Sequence, residues 1–582
     1  MYLILPKAKQ LQDHQKRSSN TQNNLPIVHP DLQGTNVFLP LLKDLSKLGN
    51  LDVKSRTMNQ KCCRSNLDPI SIGIVAASCR LPGGVNDTME LWDLLKTGKN
   101  PSSRIPVNRI NTRDVLIEGK KYGSSTEGGN FISQDVSHFD PSFFDLSLGE
   151  AETIDPQQRL LLECIHECFE NAGITELSEI GVFVGLMEKE YADLMERDTS
   201  INSLLGSMCA VMAGRISYVF GCHGPSITVD TACSSSLVAA ELAINALKSG
   251  RCSRAIVAGI NLILSEKGQG VRANGKMLSR HGMSLSFDAR ASGYGRSDGC
   301  AVLLLEKTKD DSNYLGIISD INVNHGGRAP SLTTPNPVAH KMLLTSLLQG
   351  FEALDVQYWE AHGTGTAVGD PIEANVLSTV FQNIRIGSMK TVIGHGEASA
   401  GGAALIKLAL MLEKKYIPPA IHFHVLNNRI HLGNLTIPIA GEDAELNVCG
   451  MTSFGISGTN AAAILNVSKK PISKAGTFRK YSLLLISAKE STSLNIMVKN
   501  VENVLINGES KIDDVVATLA SRKHHYSHRC AVVTDRRGRE LCKSIGRKVV
   551  LEDSMGPAYY YQTADFLTTC STSLLCSIIS LL

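Results

Sequence analysis

From Asp68 onward, short unbroken apolar runs alternate with longer stretches in which apolar residues recur every three or four positions. The run Ile70 to Ala77 predicts a buried strand, and Ile180 to Gly185, Ser226 to Val229, Ala255 to Ala258, Ala301 to Leu305, Val356 to Tyr358 and Thr391 to Ile393 predict further short strands. Helical spacing predicts helices over Gln157 to Ala172, closed by Gly173, over Ser234 to Lys248, and over Ala400 to Glu413. Strand and helix in alternation give an α/β fold, with a core that continues to about Val467.

A Lys- and Pro-bearing break after Lys469 separates a smaller α/β unit. Its expected elements are a strand at Tyr481 to Ser487, helices near Ser493 to Ile506 and Ile512 to Ala520, and a strand at Cys530 to Thr534. Beyond Asp535 the chain turns basic and loses periodicity, so 536–582 is left unassigned. Residues 1–66 are rich in Gln, Asn, Lys and Ser, a composition that does not build a core, and read as a poorly ordered extension. No tandem repeat of solenoid length appears.

Composition narrows the function classes. The chain has 582 residues, 43% hydrophobic and 20% charged, with a formal net charge of +2. That balance, with Lys and Arg scattered rather than clustered, argues against a nucleic-acid partner. Fifteen Cys at irregular spacing do not form a secreted disulfide framework and point to a reducing, cytoplasmic setting. Paired CxxC or HxxxH elements are missing, and Cys164 with Cys168 falls on a helix face that packs inward, so no zinc site is expected. Met1 to Pro6 is too short an apolar start for a signal peptide. Phe566 to Leu582 is uncharged but studded with Ser, Thr and Cys, so no stable membrane anchor is expected.

Three segments carry candidate chemistry. Asp230-Thr-Ala-Cys233-Ser-Ser-Ser lies between a strand and a helix, placing Cys233 at a helix start where free amides and the helix dipole favour thiolate. Small neighbours leave room for a bulky acyl thioester; buried packing is the ordinary alternative for such a Cys. Glu360-Ala-His362-Gly-Thr-Gly-Thr366 leaves a strand end for a Gly-rich turn, and Gly369-Asp-Pro-Ile-Glu373 opens the next helix. Lys390-Thr-Val-Ile-Gly-His395-Gly-Glu397 repeats the design before the small-residue helix at Ala400. Gly293-Tyr-Gly295-Arg-Ser-Asp-Gly299 has the wrong spacing for a dinucleotide fingerprint and reads as a turn; no GxSxG elbow is present.

In this order, together with Asp155-Pro-Gln-Gln-Arg159-Leu-Leu-Leu-Glu163 and Ser453-Phe-Gly-Ile456-Ser-Gly-Thr-Asn460, these segments resemble the β-ketoacyl synthase family, most closely the ketosynthase domains of modular polyketide and animal-type fatty acid synthases. The resemblance implies a thiolase-like five-layer α-β-α-β-α fold in two similar halves over 67–468, dividing near residue 310. Residues 471–535 resemble the linker between ketosynthase and acyltransferase.

It also implies roles. Cys233 resembles the nucleophile and His362 and His395 the paired histidines; Lys390 matches the family lysine, with Glu373 its ion-pair partner. Thr364 and Thr366 resemble threonines that hydrogen-bond a carrier's pantetheine arm. The backbone amides of Cys233 and Ile456 are the expected oxyanion hole, and Ile456 stands at a gating position where Phe is frequent. The implied reaction is decarboxylative Claisen condensation without a cofactor in this chain, on phosphopantetheine-bound substrates of a separate carrier protein. Partners implied are that acyl carrier protein, an acyltransferase in trans or elsewhere in the polypeptide, and a second copy in a homodimer.

Two positions depart from the pattern: Val392, where Asn usually stands, and Ala462, where His commonly follows Thr-Asn-Ala. The first points to looser support of the His395 turn and the second to altered core hydrogen bonding, and both to lower activity. The alternatives are a thiolase relative, a non-catalytic ketosynthase-like partner and a cysteine protease. The paired His-Gly motifs, the presence of all three reacting residues and the missing protease signature weigh against these in turn. The aperiodic end suggests a fragment of a larger synthase or a faulty gene model.

Overall fold

The computed structural model describes residues 2–3, 71–110, 126, 128–187, 189–195, 200–309, 312–350, 353–468, 481–508, 510–535 and 540–547. The expected extension over 1–66, apart from Tyr2 and Leu3, lies outside them, as does the segment Phe566 to Leu582.

Ten strands make the main sheet: β1 (Ile72–Arg80), β2 (Ile180–Gly185), β3 (Ser226–Val229), β4 (Arg254–Asn261), β5 (Gly299–Lys307), β6 (Gly316–His325), β7 (Tyr358–Glu360), β8 (Arg385–Gly387), β9 (Val448–Phe454) and β10 (Thr459–Asn466). Their spatial order is β8-β7-β9-β10-β6-β1-β5-β4-β2-β3. Outward from the central β1–β6 pair, the first half runs first, fifth, fourth, second, third strand, and the second half repeats that order. Pairing sense repeats too: β1–β5 and β5–β4 are antiparallel with β4–β2 and β2–β3 parallel, matched by β6–β10, β10–β9, β9–β7 and β7–β8. The two halves are therefore topological copies, although no repeat shows in the sequence.

Parallel neighbours require crossover helices, and these supply the layers. The helices α1 (Pro156–Ala172), α2 (Ser235–Lys248), α3 (Gly369–Val380) and α4 (Ala400–Lys414) are the principal ones. α2 and α4 pack on each other between the two half-sheets, α1 covers the outer face of the first, and Pro337–Leu347 with α3 covers that of the second. Strand β5 shows why the strands read as unbroken apolar runs. Ala301, Leu303 and Leu305 face the central layer while Cys300, Val302 and Leu304 face α1, so both sides of the pleat are buried.

Helix α1 follows its sequence signals. Asp155 caps it by accepting the Gln157 N–H at 2.8 Å, Pro156 occupies the first position, and Gly173 ends it at φ 65°. Cys164 and Cys168 are fully buried on its inner face with Leu161 and Ile165.

Helix α2 approaches β2 so closely that a Cβ on Gly185 would lie 2.5 Å from the backbone N of Ser236. Gly185→Ala is expected to push the start of α2 outward and to destabilise the chain by about 1–3 kcal/mol, read as a lower denaturation midpoint.

Three elements differ from their sequence expectation. Thr391 to Ile393, expected as a strand, belongs to the single helical turn Lys390–Ile393, because the strand ends at Gly387 and the Ser388 and Met389 carbonyls capture the amides of Thr391, Val392 and Ile393. Tertiary wiring overrides the β-branched propensity there. The strand expected at Val356 to Tyr358 is displaced to Tyr358–Glu360. Past Asp535, left unassigned, Glu540–Arg547 adds a strand to the smaller unit.

That unit is an antiparallel sheet of β11 (Tyr481–Ala488), β12 (His528–Asp535) and β13 (Glu540–Arg547), backed by α5 (Ser491–Ile506) and α6 (Ile512–Ser521). It is tied to α1 and its flanking turn: the His524 N–H donates to Glu170 at 3.0 Å and Lys489 Nζ to the Phe143 carbonyl at 2.7 Å. Among the described residues no single helix is long and apolar enough to cross a membrane.

Candidate active site

Cys233 lies in the turn Ala232–Ser234 that joins β3 to α2. The turn is tight: Ala232 is left-handed at φ 59°, its N–H donates to Asp230 Oδ1 at 2.9 Å, and the Thr231 N–H donates to Ser235 Oγ at 2.9 Å. From β9, Ser453 Oγ donates to the Cys233 carbonyl at 3.0 Å, and the backbone N–H of Ile456 donates to the Cys233 sulfur. Cys233 is buried, 7% exposed as a residue. Burial, reinforced by the charge of Glu397, pushes it up to about 12, against the opposing pull of Arg272, Lys390 and the Ile456 amide. Desolvation thus outweighs the helix-start effect expected to favour thiolate, and Cys233 rests as a thiol.

His362 follows β7. Its N–H and that of Gly363 donate to the two oxygens of Glu373 at 2.8 and 2.9 Å, which fixes the turn. The Phe454 N–H donates to His362 Nδ1 at 3.3 Å, so Nδ1 is the acceptor and the ring proton sits on Nε2. His395 comes from the same half, between β8 and α4. Its N–H donates to the Gly295 carbonyl at 2.7 Å, and its carbonyl accepts the Ser297 N–H at 3.0 Å. The two imidazoles meet edge to face, 5.3 Å apart at 86°. Neither ring nitrogen of His395 has a partner among the described residues, although the ring is only 1% exposed. Burial, then the nearby Lys390 charge, lowers both histidines, His395 to about 3, so both are neutral at neutral pH.

Lys390 and Glu373 are not joined as expected. Both are buried, but no ion pair within 4.0 Å links them. Glu373 is held by the His362 turn and by Thr452 Oγ1 at 2.6 Å. Burial lowers the Lys390 ammonium, and the carboxylate that most opposes this is Glu360, ahead of Glu373. Glu360 itself binds Lys407 Nζ at 2.5 Å, Tyr358 Oη at 2.9 Å and the Met389 N–H at 2.6 Å. Two lysines and two glutamates therefore share one buried charge balance behind the histidines.

Thr364 and Thr366 are adjacent, Oγ1 to Oγ1 at 3.3 Å, and Thr366 Oγ1 also accepts the Gly369 N–H at 3.1 Å at the start of α3. Asp370 clamps their loop through the N–H groups of Gly365, Thr366 and Phe287, and burial raises it to about 7. Val392 is buried in the central core, and Ala462 lies fully buried in β10 opposite Asn322 and Thr452.

A second charged cluster was not legible as functional. Glu397 is bound by Arg272 Nε at 2.8 Å, Arg296 Nη2 at 3.1 Å and Tyr294 Oη at 2.9 Å, and Arg296 Nη2 also reaches Glu190 at 2.5 Å. The signal available was Tyr294 and Arg296 in a Gly-rich turn and a Glu two residues after a histidine; nothing in one sequence says that they meet.

Family models for the β-ketoacyl synthase N-terminal domain, the β-ketoacyl synthase C-terminal domain and a CurL-like, PKS C-terminal segment match residues 70–311, 315–424 and 482–543. A solved ketosynthase, from module 6 of the bacillaene synthase of Bacillus subtilis 168, is 31% identical and superposes with a TM-score of 0.73 over 80% of this chain and 83% of that one. The chain belongs to the β-ketoacyl synthase family. Its doubled sheet order and paired central helices are the thiolase-like five-layer fold. Among curated relatives of this ketosynthase, the highly reducing polyketide synthase PKS6 of Gibberella zeae is 36% identical over 529 residues, covering 84% of this chain and 20% of the relative. The highly reducing polyketide synthase 40 of Fusarium pseudograminearum is 40% identical over 424 residues, covering 68% and 16%. The chain thus spans about a fifth of the length of these relatives.

Proposed function

We propose that this chain catalyses decarboxylative Claisen condensation in polyketide assembly, with Cys233 as acyl carrier and His362 and His395 as hydrogen-bond donors. The observation that carries this reading is the buried imidazole of His395, without a partner among the described residues, facing His362, together with a Cys233 sulfur that already accepts an amide N–H from Ile456.

In the first stage the Cys233 proton passes to an imidazole, the sulfur attacks an acyl thioester carbonyl, and the departing pantetheine thiol takes a proton back. In the second, the bond between the carboxylate and the α-carbon of a malonyl-type extender breaks, carbon dioxide leaves, and the enolate oxygen is held by N–H groups of the two neutral imidazoles. The α-carbon then attacks the acyl carbonyl on Cys233. The backbone amides of Cys233 and Ile456 receive the oxyanion, which collapses to expel the Cys233 sulfur and leave a β-ketoacyl thioester on the carrier.

Thr364 and Thr366 hold the pantetheine arm, Lys390 with Glu360 and Glu373 balances charge, and Ile456 gates acyl entry. Carrier protein and acyltransferase act in trans or from further sequence of the polypeptide. A homodimer is supported by the edge strand β3, where Ser226 and Ile227 are exposed, beside exposed Leu204, Met208 and Tyr218. A cytoplasmic location is supported by the thiols of Cys79, Cys168, Cys222, Cys252, Cys300 and Cys449, none of which is joined in a disulfide.

The test supplies the purified chain with an acyl thioester and malonyl-loaded carrier protein. Carbon dioxide release and a β-ketoacyl carrier are expected, each dependent on the acyl donor; release of carbon dioxide with no new carbon–carbon bond contradicts the reading.

A further inference from the structure

The turn before α4 copies the turn before α2. Ala232–Ser234 is a single 3-10 turn leading into α2 at Ser235, and Glu397–Ser399 is a single 3-10 turn leading into α4 at Ala400. The first residue of each is left-handed, Ala232 at φ 59° and Glu397 at φ 45°. With the repeated strand order, this makes Glu397 the counterpart of Ala232, and Ala398 that of Cys233. The second half has therefore kept the strained elbow without its nucleophile. A glutamate in that conformation is unfavourable unless the surroundings hold it.

They do so at both ends. Glu397 Oε1 takes Arg272 Nε at 2.8 Å and Tyr294 Oη at 2.9 Å, and Oε2 takes Arg296 Nη2 at 3.1 Å, all buried. Glu190 completes the cluster, binding Arg296 at 2.5 Å and the amides of Leu264 and Ser265 at 2.8 and 2.7 Å. Arg296 sits on the backbone segment that hydrogen-bonds His395 on both sides, and the Tyr294 ring lies edge-on to His395 at 5.0 Å. The clamp thus bears on the imidazole without bonding it.

We propose that Glu397 is a positioning residue for the condensation: clamped by Arg272, Arg296 and Tyr294, it fixes the His395 turn and is the counter-charge for the imidazolium formed when His395 takes the Cys233 proton. The groups facing the thiol and His395 are Glu397, Arg272, Arg296, Lys390, His362 and Tyr294. Glu397 opposes thiolate at Cys233 and favours the proton on His395, whereas Arg272 does the reverse at both. The clamp therefore keeps the proton on sulfur at rest and directs it to His395 on attack. This rests on the Cys233 and His395 roles proposed above.

The experiment measures alkylation of Cys233 by iodoacetamide at pH 8 in the full chain, located by peptide mass, together with condensation kinetics. Glu397→Gln is expected to raise the alkylation rate about tenfold, Arg272→Gln to lower it several-fold, and the double variant to lie near the parent. Condensation kcat in Glu397→Gln falls at least about tenfold with the KM for the carrier-bound extender unchanged. Partial unfolding exposes the thiol and raises alkylation in both single variants, so opposite signs isolate the charge effect. Equal signs, or no change in either, overturn the proposal. If instead the parent forms no acyl-Cys233 with any acyl thioester while the opposite signs hold, the condensation reading fails and the clamp stands.

Discussion

His395→Ala is expected to lower the condensation rate by about 10²–10³-fold, the loss that follows removal of one positioned donor from a water-poor site. Three features place the effect in the chemistry. The imidazole is buried with neither nitrogen partnered among the described residues, its turn is held by backbone bonds to Gly295 and Ser297 that an Ala retains, and burial keeps it neutral. Stability should move the other way from activity. Deleting a buried, unpartnered polar ring removes a desolvation penalty that offsets the cavity left behind. Steady-state kinetics with carrier-bound extender, paired with a denaturation curve, check both halves; a large stability loss with a rate change under tenfold assigns His395 to structure.

The largest stability effect is expected at Glu360. Glu360→Ala leaves the Lys407 ammonium without its 2.5 Å carboxylate, orphans the Met389 N–H, and removes the acceptor of the Tyr358 hydroxyl proton, whose oxygen still accepts from Lys407 at 2.8 Å, all in the core. Breaking a buried pair from one side costs about 3–5 kcal/mol, because the remaining charge stays desolvated. The paired replacement Glu360→Gln with Lys407→Met should recover most of that loss, since both charges go together. Urea midpoints of the single and paired variants decide it: equal losses mean that the pair is incidental, and a recovered midpoint locates the penalty in the unpaired lysine.

Legibility differed by the kind of signal. Strand β2 was readable to the residue because an apolar run bounded by turns suffices when both faces are buried, and the exposed edge strand β3 was readable from its β-rich Ser-Ile-Thr-Val run before the turn. Helix α1 was readable from its periodicity and Gly173, and its Asp155-Pro156 cap fits the same signals. The order of strands was not, because the two halves repeat as topology with different residues. Thr391 to Ile393 misled because a β-branched run normally signals a strand, whereas here it spans too few residues between Gly387 and Gly394 to reach a neighbour. At the site, the motifs singled out Cys233, His362 and His395. They did not show that Lys390 stands off Glu373 or that the thiol is raised rather than lowered, since both depend on burial and on Glu360, Arg272 and Glu397 arriving from other elements. The Glu397 clamp joins residues up to 207 apart between Glu190 and Glu397, a distance that spacing rules do not reach.

The central claim is that Cys233 carries the acyl chain. Intact mass measured after incubating the purified chain with an acyl thioester tests it directly. A single acyl adduct on the parent protein, absent from Cys233→Ala and discharged by malonyl-loaded carrier protein, is the predicted result. An adduct of equal yield on Cys233→Ala, or none on the parent across short and branched donors, contradicts it.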